Sequence, residues 1–504
     1  MSDRPRRAAP VVLLALSLLA AAPAARAAEA PAKVYVLLWF DTEDYLLPAS
    51  DDAALHVARF LSDEGVRATF KVVGEKARTL ERRKRADVIA ALKKHEIGYH
   101  SNFHSTQPSP ALYLSNLGWD EGVAEFDRRE GPGRADVERV FGQAPSCYGQ
   151  PGSSWGPQSY GAMNKWGMRV YLDAGSHVNL DDRPCYYCGV LNLYKLAHQL
   201  RADLKSPADL PRAEERFAAA RKALLAEGGG VVSVFYHPCE FVHKEFWDGV
   251  NFRKGANPPR EQWKAPPQKT AEETRSAYQV FEGYVRFMKR FPDVQFITAS
   301  EAARLYRDRA RGRRFGPAEI KAVAAAVGDE VTFQKHGDYA LAPGEVFALL
   351  NDYVASHQGG GRGAAELELK ATPYGPTGRL PLLSAAVTTD ASQFGRTSLD
   401  VADFVRKQGR VPSAVWLGST PVPPQAYLRA LAGVARDLAD GKAMPERVEV
   451  KPAKSAAERY VAADEGRLWG WVIFPPNFRA PGLMDLARRQ TWALKPALLA
   501  GGPD

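Results

Sequence analysis

No stretch beyond residue 27 is an uninterrupted apolar run of the ~18 residues that a membrane-spanning helix needs, so no span is predicted in the body of the chain. Cysteine is scarce: Cys147, Cys185, Cys188 and Cys239 are the only four in 504 residues. Cys185-Tyr186-Tyr187-Cys188 has no second CxxC to complete a four-thiolate zinc site. An even number of cysteines in an exported chain predicts disulfide bonding instead. A basic stripe interleaved with aromatics is also missing. The net charge is +9, but Arg82 to Arg85 and Arg307 to Arg314 are separate runs that read as solvated faces, so nucleic acid is not an expected partner. Nor does a composition of 45% hydrophobic and 25% charged residues suit wholesale disorder.

What is present begins with a leader. Arg4, Arg6 and Arg7 precede an apolar run from Val11 to Ala22, and Ala25-Arg26-Ala27 has the small-x-small form of a cleavage site. These features predict a signal peptide over residues 1–27, a mature chain starting at Ala28, and export to the periplasm or the extracellular space. No Cys follows the apolar run, so no lipid anchor is predicted there. The basic surface would favour association with an anionic envelope or wall polymer.

Val34 to Phe40 is a continuous apolar run rich in β-branched and aromatic residues, and it reads as a strand buried on both faces. It ends in Asp41-Thr42-Glu43-Asp44. Three carboxylates directly after a buried strand are costly unless paired, solvated or bound to a cation. If the strand continues, Asp41 and Glu43 point the same way; a turn after Thr42 presents Asp44 instead. Further strands are predicted at Val66–Val73, Met168–Leu172, Gly230–Tyr236 and Val294–Thr298. Between them lie helical patterns, among them Ala53–Glu64, Ala86–Lys94 and Asp120–Glu130. Gly131-Pro132-Gly133 is expected to break the last of these before the pattern resumes at Ala135.

Strands alternating with helices over roughly 270 residues predict a parallel α/β fold. The polar chemistry falls at strand ends: Asp41, His100, Asp173 and His237. In an α/β barrel such ends share one face, where sites are built. His100 and His104 stand four positions apart. If the backbone coils helically there, both fall on one face and can hold one metal ion.

With these residues in view, positions 32–305 resemble the polysaccharide deacetylase family, carbohydrate esterase family four. Phe40-Asp41-Thr42-Glu43-Asp44-Tyr45 is similar to its acidic first motif, and His100-Ser101-Asn102-Phe103-His104 to its His-Ser/Thr-x-x-His motif. Phe235-Tyr236-His237-Pro238 is similar to its last. The resemblance implies a distorted (β/α) barrel and a divalent metal, zinc above all, held by His100, His104 and Asp44 or Glu43, with Asp44 favoured. It implies Asp41 as general base and His237 as general acid. Tyr148 and Trp155 could stack on a sugar ring or pack in the core, and Asp173, where the family's fourth motif would fall, could orient a catalytic partner or cap a turn; the three are candidate substrate-binding residues. One departure stands out. The family's Arg-x-Pro-x-Gly motif, whose Arg orients the catalytic Asp, is matched here by Gly149-Gln150-Pro151-Gly152-Ser153, without Arg.

After residue 314 the composition changes, and a smaller α+β C-terminal domain is expected over 316–504, following a catalytic domain over 32–310. Leu341 to Leu350 parallels Val422 to Leu431, and each is followed by a short alternating strand, at Glu366–Leu369 and Arg447–Val450. Residues 316–452 resemble pseudomurein-binding repeats, which are wall-associated modules. Residues 453–504 carry no pattern that assigns them a role. The expected function is removal of N-acetyl groups from a cell-wall or extracellular polysaccharide. The alternatives are hydrolysis of another amide or ester on the same fold, and glycan binding without catalysis.

Overall fold

Strand β1 (Val34–Thr42) decides the architecture of the first 300 residues. The computed structural model describes residues 32–358 and 363–500, so the expected signal peptide lies outside the described residues. β1 is buried along almost its whole length because it has parallel neighbours on both edges. On one edge it runs beside β9 (Gly230–Tyr236), from Val34 opposite Gly230 to Phe40 opposite Tyr236. On the other it forks. Val34 to Leu37 pair with β10 (Val294–Ile297), and Trp39 to Thr42 with β2 (Thr69–Val72). The sheet continues through β3 (Glu96–Tyr99), β4 (Cys147–Tyr148) and β5 (Val170–Leu172). A hairpin of β6 (Cys185–Tyr187) and β7 (Val190–Leu193) follows, and β8 (Gln199–Leu200) closes the far edge beside β9. The result is a curled, open α/β half-barrel.

Alternation along each strand sorts the side chains. Val34, Val36, Leu38 and Phe40 join the large core between the sheet and helices such as Pro48–Asp63 and Ala271–Lys289. Leu37 and Trp39 point the other way, into a separate apolar cluster with Leu172, Leu193 and Val231. With a period of two, Asp41 and Glu43 fall on the Trp39 side and Asp44 on the Phe40 side. The same parity puts Lys71 opposite to Phe70, His100 opposite to Tyr99, and His237 opposite to Tyr236. Five charged or titratable side chains therefore converge beyond one apolar layer.

Two local expectations fail for tertiary reasons. Trp119–Phe141 is one continuous helix through Pro132. An internal proline costs a helix about 3 kcal/mol, but this one buries Val123, Phe126, Glu130, Val137 and Phe141 along a single face. Gly133 is needed for packing: a Cβ there would lie 2.6 Å from Asn102 Oδ1. The expected disulfides are not formed. All four cysteines are free and buried, with Cys147 in the inner cluster and Cys185 and Cys188 in the large core.

The internal repeat is visible as two helix–hairpin–helix–strand units. The first runs from Pro317–Ala325 through the hairpin of Gln334–His336 and Tyr339–Leu341 to the helix Pro343–Ser356 and the strand Leu367–Glu368. The second runs from Ala391–Gln408 through Val415–Leu417 and Thr420–Val422 to Pro424–Ala439 and Arg447–Val450. The two units share one apolar core that includes Phe347, Leu350, Phe394, Tyr427 and Leu431. The tail then returns to the barrel. Val461, Trp469, Phe474 and Leu483 enter the large core, and Leu494–Pro496 adds an antiparallel strand beside β6. Buried Lys495 ties the two halves together, with Nζ 2.8 Å from Glu345 Oε1 and 2.8 Å from Asp308 Oδ2. Among the described residues no helix is long and apolar enough to cross a membrane.

Candidate metal and catalytic site

Beyond the ends of β1, β3, β5 and β9 lies a cavity of about 730 Å³ lined by Asp41, Glu43, His100, His104, Asp173 and His237. Glu43 Oε2 lies 2.9 Å from His104 Nε2 and 3.6 Å from His100 Nε2. The other ring nitrogens are held from behind. His100 Nδ1 lies 3.0 Å from the Gly149 carbonyl oxygen, and His104 Nδ1 lies 2.7 Å from Ser105 Oγ. Such outer partners orient an imidazole so that its Nε2 faces a metal.

The histidines do not converge through a helix. Ser101 and His104 have φ of +67° and +57°, in the left-handed region, so the chain turns on itself between them. Ser101 Oγ accepts the His104 N–H at 3.0 Å, and buried Glu130 accepts the Asn102 N–H at 2.7 Å and the Tyr99 hydroxyl at 2.8 Å. Sequence reasoning did not find Glu130. Its only signal was an acid on the apolar face of the Trp119–Phe141 helix.

Asp44 is turned away. Its Oδ1 accepts the Leu46 N–H at 2.7 Å, and its Oδ2 lies 3.4 Å from His243 Nδ1. The acid gathered with the two histidines is Glu43, because β1 stays extended through Thr42. A metal with ~2.0–2.1 Å bonds to tetrahedral ligands spaces them by about 3.3 Å. Glu43, His100 and His104 present one carboxylate oxygen and two ring nitrogens, all within 4.8 Å of one another. This donor set and its spacing fit a divalent cation such as zinc.

Asp41 lies beside this cluster. Its Oδ1 is 2.9 Å from Lys71 Nζ and 3.4 Å from His100 Nδ1, and its Oδ2 is 3.6 Å from His237 Nε2. Burial opposes ionisation of Asp41, but His100, Lys71 and His237 outweigh it and hold the carboxyl below its usual range. Glu43 is held well below its range against the same burial, by His104 and His237. His237 shows the converse. Burial disfavours its charge, yet Glu240, with Oε1 3.4 Å from Nδ1, and Glu43 raise its pKa to about 9. Glu240 was also missed in the sequence, where it looks like an ordinary acid three residues on. Asp173 accepts the Ala174 N–H at 2.7 Å and lies 3.1 Å from Lys71 Nζ. Burial raises its pKa despite Lys71.

Tyr148 and Trp155 are buried away from the cavity. Tyr148 packs edge-on against Phe126 and Tyr171, and Trp155 stacks on His177. The aromatics that do line the cavity are Trp39, Phe235, Phe246 and, from the tail, Trp471. Its Nε1–H donates to Asp248 Oδ2 at 2.7 Å, its N–H donates to Ser153 Oγ at 3.1 Å, and its ring stands edge-on to His104 with centroids 5.1 Å apart. No sequence pattern signalled that a residue over 360 positions from His104 would wall the same cavity.

No family model and no curated protein matches the sequence. Several solved structures are similar over about half of the chain. One is a Mycobacterium smegmatis protein named as a polysaccharide deacetylase, at 15% identity and a TM-score of 0.36, covering 55% of this chain and 90% of that one. Another is a family 4 carbohydrate esterase from Streptomyces lividans, at 15% identity and a TM-score of 0.28, covering 52% and 90%. A third is a family 4 pseudoenzyme from Bacillus anthracis, at 14% identity and a TM-score of 0.27, covering 53% and 65%.

Proposed function

We propose that the protein is an exported, metal-dependent hydrolase that removes N-acetyl groups from amino sugars of a cell-wall or extracellular polysaccharide. The observation that carries this reading is the cluster of Glu43, His100 and His104, flanked by Asp41, whose carboxyl its cationic neighbours hold below the usual range, and His237, whose pKa Glu240 raises. Glu43, His100 and His104 would hold a divalent cation, most simply zinc, which would supply Lewis-acid polarisation of the acetamide carbonyl and acidify water beside it. The chain's own residues do the proton work. Asp41 accepts a proton from the attacking water. His237 keeps a proton at Nε2, and Glu240 behind Nδ1 preserves it above neutral pH. That proton goes to the amine nitrogen as the carbon–nitrogen bond breaks, so the sugar leaves as a free amine and the acyl group as acetate. Trp471 offers an apolar face beside the ligands on which a sugar ring can stack. The repeat half, with its resemblance to wall-binding modules, would hold the enzyme near its polymer, and the leader would direct export.

The test is metal analysis together with an acetate-release assay on N-acetylated oligosaccharides, run on wild type and on His104→Ala. Wild type is expected to carry about one metal per chain and to release acetate, and the variant to lose both. Equal metal content in the two proteins would overturn the ligand assignment. Metal bound without acetate release would favour a glycan-binding role.

A further inference from the structure

Lys71 stands in β2 with its ammonium fully buried beneath the site. An ammonium out of water must be paired and hydrogen-bonded. This one is: Nζ donates to the Leu172 carbonyl at 2.8 Å and contacts Asp41 Oδ1 at 2.9 Å and Asp173 Oδ2 at 3.1 Å. Three oxygens thus surround it, two as hydrogen-bond acceptors and the third, Asp41 Oδ1, as an ion-pair partner. The ammonium also lies over the Trp39 ring, 4.3 Å from its centroid. An apolar residue at position 71 would fill an apolar layer more simply, so the charge calls for an explanation beyond packing.

The path of the side chain adds a second observation. A Cβ on Gly149 would lie 2.0 Å from Lys71 Nζ, and a Cβ on Gly98 would lie 2.9 Å from Lys71 Cγ. Lys71 stands opposite Asp41 in register, and its ammonium also reaches Leu172 and Asp173 because Gly98 in β3 and Gly149 in the loop after β4 carry no side chain where it passes. Gly149 is also the position at which the sequence lacks the arginine of the motif it resembles. The absent side chain and the extra cation occupy one space.

We propose that Lys71 is the positioning residue of Asp41: entering from β2 through the gap at Gly149, its ammonium holds the Asp41 carboxylate toward His237 and the cavity, while Asp173 anchors the ammonium from the other side. A cation delivered by the strand next to β1 replaces one delivered by the loop after β4. The missing arginine therefore leaves the site complete. The base role of Asp41 rests on the reading given under Proposed function; the position of its carboxylate does not.

The experiment compares wild type, Lys71→Met, and the double variant Lys71→Met/Asp173→Asn, which also removes the carboxylate left facing Asp41. Lys71→Met is expected to lower kcat for acetate release by about a hundredfold, with KM within about twofold and bound metal unchanged. The double variant is expected to regain thermal stability but not kcat. Recovery of kcat to near wild type in the double variant would overturn the proposal, because Lys71 would then serve only to neutralise Asp173. If wild type releases no acetate, crystal structures decide. An Asp41 carboxylate turned away from His237 in Lys71→Met supports the positioning role, and one left in place overturns it.

Discussion

Between residues 32 and 305 the chain buries Asp41, Glu43, Lys71, His100, His104 and Asp173 around a single cavity. Between residues 316 and 450, among the described residues, the buried polar groups are Gln334, Glu345, Asn351, Thr397 and Ser398. Glu345 alone of these is ionisable, and it is neutralised by Lys495 from outside the repeat. Both halves have well-filled apolar cores, so the difference does not reflect a need for stability. Buried charge is costly, and its concentration in one half, around the cavity, is where the proposed chemistry would be carried out. The repeat half buries what a packing or binding module needs: apolar helix faces and a few polar groups, such as Asn351, whose Nδ2 donates to the Ser398 carbonyl at 2.9 Å and whose Oδ1 accepts from the Tyr427 hydroxyl at 3.0 Å.

That contrast can be broken by substitutions in each half. Asp41→Asn should lower kcat by about a thousandfold with bound metal retained, as read by acetate release and metal analysis; a loss of less than tenfold would remove Asp41 from the mechanism. Leu431→Ala, in the centre of the repeat core, should cost about 2–5 kcal/mol of stability in denaturant unfolding, with kcat unaltered below the transition. A matching loss of kcat would mean that the two halves are not separable in this way. Glu240→Gln sharpens the picture within the site. The Glu240 carboxylate favours protonated His237 and raises its pKa to about 9, so removing it must lower that pKa. The basic limb of the pH–kcat profile should move down by roughly one unit, and an unmoved limb would separate His237 from the acid step. Trp471→Ala should have the smallest effect, raising KM by about threefold with kcat nearly constant.

The strand ends were legible because hydrophobic runs interrupted by Asp or His are rare and local. Asp41, His100, Asp173 and His237 could be named from such runs, and all four line the cavity. The choice between Glu43 and Asp44 was not legible, because it depends on whether β1 stays extended one residue longer, and pairing with β2 at Thr42 settles that. The turn that brings His104 back to His100 was hidden for a similar reason: its left-handed residues are Ser and His, not Gly, and are held by hydrogen bonds within the loop and from Glu130. Lys71 reads in the sequence as one polar residue in a strand. Its meaning comes from Gly149, 78 positions away, and no local pattern links the two. Pro132 misled because propensity was weighed without the face that the helix buries.

The strand Leu494–Pro496 bears on the order of events at the ribosome. Its partner β6 is made some 300 residues earlier, and Trp471 is made long after the histidines it stands beside. Until the residues that follow β10 have been made and delivered, the half-barrel lacks its last strand and its cavity wall. During that interval the edge of β6 is unpaired and the ligand cluster is open on one side. A chain stopped before residue 460 would carry every residue of the proposed ligand set and of the proposed acid–base pair, yet have an unfinished pocket. The site is complete only once the segment from Trp471 to Pro496 has been made and has docked.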